Sequence, residues 1–181
     1  MMTEVAQPDE ASARLKFHIK TFTGRYIPVE DRLRLDAVDV DGNRQSLFMT
    51  RRLVDRIIPV MVAHLERQTP EGMPGELVQE MQQDGALQIH AEGGSEAPVA
   101  VEPEFVPWLC RTVHLTKTGA GLVVVFTDEA TIEAQMPMST DNLRVVLDIF
   151  KTLYTSAEWG LQAFPGWMQT PASAEAPQML N

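Results

Sequence analysis

The chain has little cysteine, little positive charge and no long apolar run. Cys110 stands alone in 181 residues, so no internal disulfide can form and no oxidising compartment is needed. Fifteen basic against twenty-five acidic side chains leave a formal charge of −10. Duplex nucleic acid demands a cationic face, so a nucleic acid partner is disfavoured, and anionic lipid is disfavoured on the same ground. The longest apolar runs are far too short to span a bilayer, and Met1 to Glu10 is acidic where a secretion signal would be basic and apolar. A cytoplasmic chain with no membrane partner is the expectation. Catalytic signatures are missing as well: there is no G-x-S-x-G, P-loop, G-x-G-x-x-G or H-E-x-x-H. No cofactor and no metal are expected.

What is present suffices for a globular core, with 44% hydrophobic and 22% charged residues. Two segments carry helical signals. Thr50 is a good N-cap, followed by Leu53, Ile57, Val60 and His64 at helical spacing, with Pro59 inside the run. After Ser139 or Thr140, a second apolar stripe runs through Leu143, Val146, Leu147, Phe150, Leu153 and Tyr154, and Gly160 ends it. Strand-like runs precede each helix. Leu15 to Phe22, Arg32 to Val40 and Gln45 to Met49 lead to the first, with Asp41-Gly42 as a hairpin turn. Thr112 to Lys117, Leu122 to Phe126 and Thr131 to Met138 lead to the second, with Lys117 to Gly121 as a hairpin loop.

A shift of ninety residues lays Leu33, Leu35, Thr50, Ile57 and Val60 on Val123, Val125, Thr140, Leu147 and Phe150. The pattern predicts an α+β fold made of a duplicated βββα unit: antiparallel meander sheets, each followed by an amphipathic helix, related by a pseudo-two-fold. Residues 1–13 read as a disordered tail, 14–68 as the first unit and 69–110 as a connector with a short helix at Glu76 to Gln83. Residues 111–169 read as the second unit with an aromatic extension, and 170–181 as another disordered tail.

Few residues invite chemistry. His18 and His114 fall on the first strand of each half, on its wet side; a pair of imidazoles could bind a metal or trade a proton, but surface residues of a repeated strand are the plainer reading. His64 lies on an apolar stripe, as a hydrogen-bonded core histidine would, and His90 lies in the polar connector. Asp36, Asp39 and Asp41 fail as a calcium loop, because the twelfth position is Thr50 where a bidentate glutamate is required. Cys110 has no histidine near enough to activate it and reads as a small apolar residue.

Apolar and aromatic residues in irregular segments are more suggestive. Phe105 and Trp108 close the connector, and Trp159, Phe164, Trp167 and Met168 follow the second helix. These six, with Arg51 and Arg52 set against a helix dipole, are the partner-binding candidates. The leading expectation is a non-enzymatic protein-interaction protein: an adaptor, an assembly factor or an accessory subunit of a larger complex, with a protein partner or a second copy in a homodimer. The alternative is a small enzyme or ligand-binding domain with a pocket between the repeats, where His18, His114, Asp36 and Cys110 would converge. Nucleic acid binding comes third; it would need Arg14, Lys16, Lys20, Arg51, Arg52 and Arg56 gathered on one side.

Overall fold

The computed structural model describes residues 14–94, 97–100 and 105–169; the tails expected at 1–13 and 170–181 fall outside these. The chain is α+β, with two four-stranded mixed sheets and, among the described residues, four helices. In chain order the elements are β1 (Leu15–His18), β2 (Thr21–Ile27), β3 (Arg32–Val38), β4 (Arg44–Thr50), α1 (Arg51–Glu66), α2 (Gly75–Glu92), β5 (Trp108–Leu109), β6 (Thr112–Thr118), β7 (Gly121–Thr127), β8 (Ile132–Ser139), α3 (Thr140–Ser156) and α4 (Gly166–Gln169). One sheet runs β1-β8-β7-β6 and the other β2-β3-β4-β5.

Each sheet is an antiparallel meander with one short parallel strand added at its edge. That strand comes from elsewhere in the chain: β1 pairs with β8, and β5 pairs with β4. The run expected as a single strand, Leu15 to Phe22, is therefore two strands in different sheets. The change is made between neighbouring residues, since the Ile19 amide donates to the Gln135 carbonyl at 2.8 Å and the Lys20 amide to that of Val38 at 2.9 Å. An equivalent step precedes β6, where Cys110 donates to Phe48 and Arg111 to Thr127, each at 2.9 Å. Alternation records which face a residue takes, not which sheet, and buried Phe17 and Ile19 keep the period through the corner.

Inward-facing Leu33, Leu35 and Ala37 of β3 and Leu122, Val124 and Phe126 of β7 build the core with the apolar stripes of α1 and α3. Each of these helices touches both sheets, α1 through β4 and β6, α3 through β7, β8 and β2. The caps are Thr50, whose hydroxyl accepts from the Leu53 amide at 3.3 Å, and Ser139, which accepts from Asn142 at 3.2 Å. The two caps therefore lie one residue less than ninety apart. A shift of ninety lays buried Leu33 on half-buried Val123, whereas one residue less lays buried Leu33, Leu35, Met49, Val54 and Met61 on buried Leu122, Val124, Met138, Leu143 and Phe150. Strand side chains alternate, so a slip of one exchanges the faces. Asp39 and Asp128 obey the shorter shift too. Asp39 accepts from the amides of Asp41 and Asn43 in the β3–β4 turn, and Asp128 from those of Ala130, Thr131 and Ile132 in the β7–β8 turn.

The connector helix is longer than its apolar residues predict. In place of a short helix at Glu76 to Gln83, α2 spans 18 residues and ends at Gly93-Gly94. Good helix formers (Ala86, Leu87, Gln88, Ala91) continue it, and Gly85 alone does not stop it.

Candidate functional site

The residues that the enzyme alternative would need do not converge. His18 pairs across β8 with Gln135, Gln135 with Val125 of β7, and Val125 with His114 of β6. Both imidazoles are exposed on one face, but three strand spacings, about 14 Å, separate them. They also occupy opposite edges of one sheet, not equivalent places in two halves. Asp36 is fully buried in the other sheet. Its carboxylate accepts from Arg34 Nε at 2.7 Å and Ser46 Oγ at 2.6 Å, with Arg25 at 3.7 Å. The connector covers this group: the Val99 amide donates to Thr23 Oγ1 at 2.8 Å, and Arg25 and Arg44 donate to the carbonyls of Val99 and Ala100. Burial pushes the Cys110 thiol up to about 12, so it stays protonated. Among the described residues no group of three or more His, Cys, Asp or Glu is placed to hold a metal ion.

His64 is buried on α1, its Nε2 3.0 Å from Gln68 Nε2, and burial, with Lys117 and Arg67 nearby, holds its pKa below the usual histidine value. His90 lies in the last turn of α2 and is exposed. A cleft of about 660 Å³ opens between β1 and the β3–β4 hairpin, beside Phe105. Leu15, Lys16, Phe17, Asp39, Arg44 and Gln45 line it, and none of the four candidate catalytic groups does.

The aromatic extension folds back. Trp159, Phe164, Trp167 and Met168 are all buried. Trp159 and Phe164 meet the Tyr154 ring edge-on at 5.1 and 5.2 Å, and Trp159 Nε1 donates to Asp31 at 2.9 Å. Phe105 stays exposed and Trp108 half-buried. Arg51 and Arg52 are exposed, and Arg51 pairs with Asp55 one turn on at 3.5 Å. Arg14 bonds to Glu133 and to the Glu129 carbonyl. It thus lies at one end of the β1–β8 sheet, while Arg51, Arg52 and Arg56 lie on α1.

One arrangement escapes sequence reasoning altogether. Arg144 of α3 is buried, and no carboxylate among the described residues lies within ion-pair distance of it. It donates to Gln79 Oε1 at 2.7 Å and Gln82 Oε1 at 2.6 Å, both from α2, and lies 5.8 Å from the Trp167 ring. Gln83 Nε2 donates to the Arg144 carbonyl at 3.1 Å, and Gln79 Nε2 to that of Leu65. Loss of hydration lowers the guanidinium pKa, with Asp141 acting the other way. Buried cations need partners, and here amide oxygens serve. Consequently α2 turns Gln79 and Gln83 inward and leaves Leu77, Met81 and Ile89 outside, at 53%, 66% and 65% exposure. The cue in the sequence is Gln79, Gln82 and Gln83 at helical spacing; its complement, an arginine on an otherwise apolar stripe, lies sixty residues on.

No protein-family model, no curated protein and no solved structure matches this chain. No helix among the described residues is long and apolar enough to cross a membrane.

Proposed function

We propose that this chain is a non-enzymatic protein-interaction protein, acting as an adaptor, an assembly factor or an accessory subunit of a larger complex, and built from two copies of a βββα unit about a pseudo-two-fold. The reciprocal placement of β1 and β5, the matched Asp39 and Asp128 turns and the common register of buried positions support the duplication. One observation carries the interaction role. Of the eleven large apolar side chains exposed among the described residues, seven belong to the connector: Met73, Leu77, Met81, Ile89, Phe105, Val106 and Leu109. Apolar surface concentrated in the segment that joins the two meander–helix units is material the core does not use, and such concentration marks contact surfaces. Phe105, Trp108, Arg51 and Arg52 remain candidate contacts. The test is affinity capture by the tagged full chain from its native host, with mass spectrometry of what co-purifies and light scattering of the complex. A partner recovered in fixed ratio is the expected outcome; a chain recovered alone and monomeric in every condition overturns the reading.

A further inference from the structure

The outer surface of α2 has a chemistry of its own. Leu77, Met81 and Ile89 lie on one i, i+4 row of α2, and Gly85 fills the remaining place in that row. A Cβ built at Gly85 would meet nothing within 4 Å, so the row has a gap. A cleft of about 310 Å³ adjoins this gap, lined by Gly85, Ala86 and Ile89 on one side and by Thr140, Asp141 and Arg144 on the other. From Gln68 to Gly94 the sequence has five acidic residues and no lysine or arginine. Glu76, Glu80 and Asp84 form a second i, i+4 row beside the apolar one. A methionine-bearing apolar stripe with a notch and a row of carboxylates along one side complements one kind of ligand best.

We propose that Leu77, Met81 and Ile89, open at Gly85 and flanked by Glu80 and Asp84, dock an amphipathic helix of a partner protein with apolar anchors one turn apart and lysine or arginine beside them. The proposal rests on the interaction role above and assigns it a site and a partner chemistry. One anchor of the incoming helix enters the notch between Met81 and Ile89. Its basic residues meet the carboxylate row and Asp141, which is exposed at the cleft. Buried Arg144 fixes the geometry: its bonds to the Oε1 atoms of Gln79 and Gln82 hold α2 in the rotation that keeps Leu77 and Met81 outward.

The test uses the full chain and three fluorescent peptides as long as α2: a leucine–lysine amphipathic helix, its lysine-to-glutamate counterpart, and a scramble of the first that keeps its charge and loses its stripe. Anisotropy should show the basic amphipathic peptide binding about tenfold or more tightly than either control, and weakening as salt rises. The double variant Leu77→Gln, Met81→Gln removes apolar anchors from solvent-exposed positions, and Gly85→Phe fills the notch. Each should weaken binding about tenfold while circular dichroism stays unchanged. Equal binding of the scrambled or acidic peptide, no binding, or unchanged binding by both variants overturns the site. Sedimentation showing a wild-type dimer that the double variant dissolves gives the face to a second copy and overturns it too. If the double variant captures the same partner at the same yield as wild type, this site fails while the interaction role stands; if neither captures anything, both fail.

Discussion

Cys110 is held as a thiol by its surroundings. It sits at the corner where the chain passes from β5 to β6, its amide bonded to Phe48 and its sulfur 3.3 Å from the Thr112 carbonyl. With burial raising the pKa from 9.0 to about 12, the thiolate fraction at mildly alkaline pH falls about a thousandfold. Native protein should therefore resist iodoacetamide until it is unfolded, as mass spectrometry of the adduct would show; labelling of the folded chain at the rate of a free thiol would contradict this placement. The character of this residue was legible from its neighbours Trp108 and Leu109. Asp36 and Arg144 were not. Whether a charge can be buried depends on groups brought from far away, Ser46 and Val99 in one case, Gln79 and Gln82 in the other, and local periodicity holds no record of them.

For whole elements, hydrophobic period located α1, α3 and five of the six meander strands closely, because each shows the core one continuous stripe; β2 was missed beyond Phe22. It failed where a stripe faces solvent or changes sheet. In α2 the apolar residues gave the helix, but the matching glutamines decide which side is inside, so sequence reasoning caught only its first half. The tight turn between β6 and β7 makes a sharper claim. Gly121 has φ of +150°, and a Cβ there would lie 2.1 Å from the Met138 carbonyl oxygen. That oxygen belongs to the neighbouring strand and cannot retreat without breaking the ladder. Gly121→Ala should cost about 2–4 kcal/mol in urea unfolding, from backbone strain and overlap together. Gly85→Ala, on an open helical surface, should be neutral or stabilise by up to about 1 kcal/mol. Equal effects at the two sites would show that the Gly121 geometry is mistaken.

Over the whole molecule, the α+β class and the two runs of strands followed by a helix could be read from the chain. The reciprocal edge strands could not be read at all. Two-residue β5 is too short to show a period, and the partner of β1 lies more than a hundred residues away. That reciprocity has a mechanical consequence. A protease cut between Gly94 and Phe105 would leave two fragments, each short of the fourth strand that the other carries. Made separately, they should be poorly folded; mixed, they should recombine one to one and recover the native circular dichroism, and two independently folded fragments would refute this. In the intact chain the connector keeps each of these fragments at roughly millimolar effective concentration around the other. At high protein concentration, intact molecules could meet the same pairing by trading halves.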